Sequence, residues 1–349
     1  QVLMAFYQCE KCKLTWQYPL EICPHCFTNL TEQIGRQARV IGVSRVGIPT
    51  LNHPSVPYFI LLLQDENGNT WAHKSSKEYE IGAEFKTEAV LDAGAVAVWK
   101  VKYNYLEAIN KVFELLGGIK IDGSSKILLL PTASAATHYY FRDNTSPQFF
   151  EAVLEYLLKA GAVLGNITVG AQSFDDIPIG AIAQKSGLLE VCQRHKIMPK
   201  DLSASTFDKK GKYELSKDAL DADLVLNLAM LKIGQASATQ NLFRILKKEN
   251  FLGLKYLESE AGITESFKEI EGKTMTIADG ETTQRSNKLT NYTGVVLAGR
   301  DPQNVDLVFN EITKANRLPE ILKDLDLKLE NIPLAGRTIQ ETQYLAEYF

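Results

Sequence analysis

No run of apolar residues in this 349-residue chain approaches the ~20 that a membrane-spanning helix needs. Stretches such as Phe59-Ile60-Leu61-Leu62-Leu63 and Ile127-Leu128-Leu129-Leu130 have strand length and polar flanks. An excess of charge of one sign is also missing. The 38 Lys and Arg residues face 42 Asp and Glu, a formal net charge of -4, with the signs interleaved along most of the chain. A nucleic-acid binder usually carries a basic excess, so this balance disfavours one. Cysteine is scarce and uneven: of five, four lie within the first 26 residues and Cys192 stands alone. A secreted disulfide framework spreads its pairs along the chain, so that class is excluded. The N-terminus lacks the charged region, apolar stretch and small-residue cleavage site of a signal peptide, and the chain is read as cytoplasmic. The N-x-S/T triplets at Asn29, Asn144, Asn166 and Asn291 are then chance matches. A ferredoxin-type cysteine run is absent too.

What is present begins with the cysteines. Cys9-Glu10-Lys11-Cys12 and Cys23-Pro24-His25-Cys26 form two C-x-x-C knuckles separated by ten residues. Each knuckle turns tightly enough to aim two thiolates at one point, and two knuckles complete a tetrahedron around Zn2+. Four thiolates leave no open position for substrate, so the expected ion is structural. No helix signal follows either pair, which argues against a thioredoxin-like redox motif. His25 is read as a knuckle side chain.

Length alone calls for two or three units. Residues 35–92 read as short strands, Ala38 to Arg45, Tyr58 to Gln64, Thr70 to Ser75 and Glu84 to Leu91. Asp65-Glu66-Asn67-Gly68-Asn69 is a hairpin signal between the second and third. Such strands suggest a small OB-like β-barrel. From residue 93 onward strands alternate with helices, which means parallel pairing with helices on the faces. Ser146-Pro147 opens one helix, with Ser as N-cap and Pro at the first helical position, and Gly161 ends it. Ile182 to His195 reads as mostly helix, and the tail from Val305 to Phe349 as mainly helical. The expected fold is therefore multi-domain: a zinc ribbon (1–34), an OB-like barrel (35–92) and an α/β domain with a mainly parallel sheet (93–349).

Two resemblances add to this. The knuckles, Tyr18-Pro19, Gly35 to Ser44, Pro57-Tyr58-Phe59-Ile60-Leu61-Leu62 and Ile81-Gly82-Ala83-Glu84-Phe85 resemble the zinc-ribbon/OB-fold family called "domain of unknown function 35". That resemblance implies association with acyl-CoA and a scaffold role beside thiolase-superfamily enzymes. Residues from about 95 to 320 look like the family called "domain of unknown function 362", through Thr145-Ser146-Pro147, Ala222 to Leu228, Leu231-Lys232, Asn241-Leu242-Phe243, Ala278-Asp279-Gly280 and Leu297 to Pro302. Members often carry iron–sulfur modules. The chain departs from that pattern at Leu130-Pro131-Thr132, at Ala171 and at Ala229 to Gly234, where two lysines, an acid and a histidine of the family are missing. Those positions are strand ends, where a parallel α/β sheet places its ligands.

What remains there defines the candidate chemistry. Lys232 and Asp279 are the candidates for proton transfer, and Thr132, Asn241, Arg300 and Asp301 for ligand binding. Against this, Asp279-Gly280 and Asp301-Pro302 also read as turn chemistry. Cys192, on a helix, reads as a buried small side chain, and Lys209, Lys210 and Lys212 as solvated charge. Three functions follow. The favoured one is a zinc-binding scaffold for an acyl-CoA-handling, thiolase-superfamily enzyme, with a ligand-binding α/β domain. An enzyme acting on a small anionic or acyl substrate is the second, and single-stranded nucleic-acid binding through the ribbon and barrel the third.

Overall fold

The computed structural model describes residues 5–17, 20–34, 37–49, 56–75, 77–85, 92–256, 265–285, 289–315, 319, 322 and 328–343. The Tyr18-Pro19 pair, Gly35 and the strand reading beyond residue 85 fall outside them.

The N-terminal strands β1 (Ala5–Cys9), β2 (Thr15–Trp16) and β3 (Leu30–Ile34) form an antiparallel sheet in the order β2-β1-β3. A second antiparallel sheet, ordered β6-β5-β4-β7, holds β4 (Ala38–Val46), β5 (Tyr58–Asp65), β6 (Thr70–Ser75) and β7 (Glu84–Phe85). The hairpin falls where the sequence placed it. Asp65 Oδ1 accepts from the backbone N–H of Asn67 and Asn69 at 2.9 and 2.8 Å, and Gly68 takes φ 84°, a left-handed value that glycine adopts without a Cβ penalty. Phe6 of β1 enters the core formed by Val40, Leu61, Leu63, Trp71 and Phe85, with its ring centroid 5.9 Å from Trp71. Ribbon and second sheet therefore share apolar packing, which couples their stability.

The remainder is a layered α/β unit. In chain order its first half runs β8 (Val96–Lys100), α1 (Tyr105–Leu115), β9 (Ile127–Pro131), α2 (Pro147–Lys159), β10 (Ile167–Ala171), α3 (Ile179–Ser186), α4 (Leu188–Arg194) and β11 (Lys200–Asp201). The hairpin β12 (Phe207–Lys210) and β13 (Tyr213–Ser216) follows, then α5 (Lys217–Asp221), β14 (Leu224–Lys232), α6 (Ser237–Leu242) and α7 (Lys248–Tyr256). The last part holds β15 (Thr274–Gln284), β16 (Thr290–Gly299), α8 (Pro302–Ile312), β17 (Leu334–Gly336) and α9 (Ile339–Thr342). Eight strands form one mixed sheet, β11-β10-β9-β14-β15-β16-β8-β17. Pairing is parallel from β11 through β15, antiparallel at β15–β16 and β16–β8, and parallel again at β8–β17.

Both faces of this sheet are covered, so its strands are apolar on successive residues rather than on alternate ones. Ile127 and Leu129 of β9 join Leu226 and Leu228 against α1, α2 and α4, while Leu128, Leu130 and Val225 meet the side carrying Phe243 and Phe251. Helix α2 starts as its sequence dictates, with Pro147 at its first turn and the Ser146 hydroxyl accepting from Phe149 N at 3.4 Å.

Two expectations, for the helix at 182–195 and for the tail, need correction. The sheet is mainly parallel, as expected, but the long β15–β16 hairpin reverses direction and carries β8 with it. The single helix read over 182–195 is two helices, because Gly187 at φ 82° breaks the ladder. The lysines at 209, 210 and 212 are solvent-exposed, as read, on a hairpin turning at Gly211, φ 60°. The tail contributes a strand, β17, because Ala335 can bury beside Ala97 at the sheet edge.

Candidate metal centre and ligand crevice

The four cysteines converge. One ligand atom from each of Cys9, Cys12, Cys23 and Cys26 lies within 4.8 Å of all the others. The Cys12 and Cys23 sulfurs are 3.8 Å apart. The edge of a thiolate tetrahedron with Zn–S of about 2.3 Å is also roughly 3.8 Å, so the cluster fits a zinc ribbon. The two knuckles are built alike. Lys13 N bonds Cys9 O and Phe27 N bonds Cys23 O, and both residues adopt left-handed φ, 60° and 54°. Backbone N–H groups of His25 and Cys26 point at Cys23 Sγ at 3.4 and 3.3 Å, and that of Cys12 at Cys9 Sγ at 3.5 Å. Such donors stabilise thiolate charge. The Thr28 hydroxyl, 3.2 Å from Cys9 Sγ, helps to bring that thiol down to about 6. Hydrogen bonding to Cys12 pushes Cys26 up to about 12, the mark of thiols crowded at one point. The imidazole of His25 is exposed, in keeping with a knuckle residue that is not a ligand.

A second centre lies beyond the carboxyl ends of β9 and β14. There Thr132, Ser134, Phe174, Met230, Lys232, Asn241 and Arg244 line a cavity of about 180 Å³. Arg244 dominates it, although only 3% of its surface is exposed. Its Nε donates to Asn241 Oδ1 at 2.8 Å, Nη1 to Ala133 O at 2.6 Å and to Gln172 O, and Nη2 to Ser134 Oγ at 2.9 Å. Its guanidinium stacks 4.2 Å from the centre of the Phe174 ring. All these partners are neutral. Burial lowers Arg244 to about 9, against the opposing pull of Asp175, which is exposed. Asn241 is itself fixed, donating to Leu130 O at 2.9 Å and to Asn227 Oδ1 at 2.8 Å. A polar chain thus runs from the middle of β14 to the crevice floor and holds the cation in place.

Both strand ends bulge at this edge. The β14–β15 register shifts between Met230 and Lys232, and the β15–β16 register between Gly280 and Thr282. A bulge re-aims the side chain beside it. Lys232 Nζ reaches Asp143 Oδ1 at 3.1 Å, and Glu281 Oε2 accepts from Arg142 at 3.5 Å. Arg142 and Asp143 are neighbours on the loop that returns to α2, so two reciprocal ion pairs strap this loop across β14 and β15. Asp279 lies behind the strap with no exposed surface. It accepts from Tyr105 Oη and Ser146 Oγ, each at 2.9 Å, and from Glu281 N at 3.2 Å. Burial raises its pKa, and Arg142 opposes the rise.

The sequence candidates therefore separate into three places. Thr132, Lys232 and Asn241 share the crevice. Asp279 is sealed by Tyr105 and Ser146 and has no bond to Lys232. Arg300 and Asp301 line a different cavity of about 440 Å³ with Leu242, Phe267 and Pro302, by the amino end of β15 and the carboxyl end of β16. Asp301 there caps α8, its Oδ1 accepting from Gln303 N at 2.8 Å. Within the crevice Thr132 serves the backbone, bonding Met230 N at 3.0 Å, and Asn241 serves Arg244. Arg244 was missed. Its one signal was a charge inside the apolar run Leu242-Phe243-Arg244-Ile245-Leu246. Cys192 is fully buried, and desolvation raises its thiol to about 11, as befits an inert core residue.

The helix that carries Asn241 is held from below by Asp306. This buried carboxylate accepts from Ala238 N and Thr239 N, both at 2.8 Å. Desolvation raises it to about 7 despite those bonds. Its folded value exceeds an unfolded value of about 4, so its stabilising contribution is full below that pH and is lost as pH rises toward 7. Asp306→Asn is expected to remove this component. The melting temperature of the variant should fall less between pH 4 and 7 than that of the parent, a difference read by calorimetry across that range.

Residues 131–240 match the family described as "Domain of unknown function (DUF362)". Among solved structures, one described as "Ltp2-ChsH2(DUF35) aldolase" is 18% identical, with a TM-score of 0.21, covering 25% of this chain and 72% of that one. A superposition so distant carries no structural argument. No curated protein matches the chain significantly. Among the described residues, no helix is long and apolar enough to cross a membrane.

Proposed function

We propose that this is a zinc-stabilised binding protein whose α/β unit holds a small anionic ligand between Arg244 and Lys232. The observation that supports it most is Arg244. A buried guanidinium whose hydrogen-bond partners are all neutral lines an open cavity with a second cation, at the carboxyl ends of parallel strands, where α/β proteins bind ligands. An anion there gains Coulombic energy at a site whose desolvation cost is already met by the fold. Asp279 has no open face toward this cavity, which favours binding over turnover.

The ribbon and second sheet are proposed to dock an acyl-CoA-handling, thiolase-superfamily enzyme, with Zn2+ held by Cys9, Cys12, Cys23 and Cys26. The resemblance of residues 1–92 supports this, as do three ribbon side chains that a monomer leaves in water: Phe27 (83% exposed), Ile22 (52%) and Leu14 (47%).

In calorimetry, succinate or inorganic phosphate should bind the full chain, and Lys232→Gln should weaken binding at least about tenfold, a 1.4 kcal/mol effect. Absence of binding by either anion would refute the crevice assignment. Affinity capture with the full chain should recover an acyl-CoA-handling enzyme, and the docking role fails if none is recovered.

A further inference from the structure

The geometry points to Asp143 as a specificity-determining residue of the crevice. Its carboxylate occupies the Lys232 ammonium as an internal stand-in for a ligand, and an incoming anion must displace it. This rests on the proposal that the crevice takes an anion.

Lys232 lines the cavity, and its ammonium lies 3.1 Å from Asp143 Oδ1, in a pair whose side chains are only 15% and 17% exposed. Asp143 does not itself line the cavity but reaches it through Lys232. It arrives on the strap between β9 and α2, held by bonds that can be given up one at a time: Thr137 Oγ1 donates to its Oδ2 at 3.1 Å, and Gln284 Nε2 to its Oδ1 at 3.4 Å. The root of the strap is fixed differently. Thr132 N donates to Thr145 Oγ1 at 2.7 Å between buried groups, and the buried Asn144 accepts at Oδ1 from Ser134 N at 2.8 Å. The carboxylate can therefore leave while the root stays.

The charges facing the cavity sharpen the argument. Arg244 and Lys232 are its cations and exposed Asp175 its acid, while Asp143 stands behind the lining, paired with Lys232. Lys232 is thus neutralised within the fold, whereas Arg244 is not. A monoanion can satisfy Arg244 and leave the Lys232–Asp143 pair intact. A compact dianion spans both cations only by expelling Asp143. The cavity of about 180 Å³ suits a compact charged group. The ligand class is a small dianion, a short dicarboxylate or phosphate, rather than a long amphiphile.

The sign of the expected effect separates this role from a structural one. Loss of a residue whose role is only structural leaves anion affinity unchanged or weakens it. Here Asp143→Asn keeps the shape, frees Lys232 and should tighten succinate binding at least tenfold over the parent, while acetate affinity changes less than threefold. The gain should vanish in Asp143→Asn combined with Lys232→Gln. A measurement on the parent chain guards against misfolding of the variant: saturating succinate should raise amide hydrogen exchange at residues 137–143 while exchange at 144–146 is unchanged. If succinate binds the parent but Asp143→Asn binds it equally or more weakly, and exchange at 137–143 is unmoved, Asp143 is a structural residue and the inference falls alone. If neither succinate nor phosphate binds the parent or the variant, the anion crevice itself falls with it.

Discussion

Cys23→Ala should abolish metal binding by the ribbon, lowering zinc content from one equivalent per chain to a trace by elemental analysis. Cys23 is fully buried, and its sulfur receives two backbone N–H groups while sitting 3.8 Å from Cys12 Sγ. The alanine leaves three thiolates and two unsatisfied donors, and a three-cysteine site is open to water. Structural zinc contributes about 10–16 kcal/mol of apparent binding energy to small finger peptides near neutral pH. A three-stranded sheet of five, two and five residues has no core large enough to replace that. The strands β1 to β3 should therefore lose protection from hydrogen exchange. Because Phe6 packs on Trp71, the second sheet should soften as well. The α/β unit, with its own cores, should melt as before. An identical exchange pattern with and without chelator would show that the cysteines are not a structural metal site.

The second large effect belongs to Arg244. Its replacement by alanine removes donors from Ala133 O, Gln172 O, Asn241 Oδ1 and Ser134 Oγ in one step. Each buried acceptor left alone costs about 1–3 kcal/mol, so a loss of about 4 kcal/mol or more is expected. That is a large share of the 5–15 kcal/mol typical of a folded domain. At about 2–4 °C per kcal/mol, the melting temperature should fall by roughly 10 °C. Arg244→Lys keeps the charge but cannot fork to two carbonyls and a hydroxyl, so it should recover less than half of this loss. A melting temperature unchanged in Arg244→Ala would mean that the guanidinium does not staple β9, β10 and α6 together.

How much of this was legible in the sequence differs by element. The knuckles were readable because ligand spacing is a local property, and so was the hairpin at Asp65 to Asn69. The Ser146-Pro147 helix start was equally local. The direction of β16 was not, since a strand's sequence records its burial and not its partner. The crevice was half legible. Lys232 and Asn241 stood out through the resemblance, as polar residues that remain at its motif positions, yet nothing in their spacing showed that Asn241 serves Arg244. Asp143 and Glu281 meet cations only because two bulges turn Lys232 and Glu281 toward one loop. Bulges depend on pairing and cannot be read from one strand. Arg300 and Asp301 share the polar character of the crevice residues but sit at the other end of the strands, because β16 runs antiparallel.

The most direct measurement is a crystal structure of the full chain grown with succinate. An anion bound at the carboxyl ends of β9 and β14, within hydrogen-bond distance of Lys232 Nζ and beside the Arg244 guanidinium, is the predicted result. A well-ordered crevice without bound succinate, at a concentration that saturates binding in solution, would contradict it.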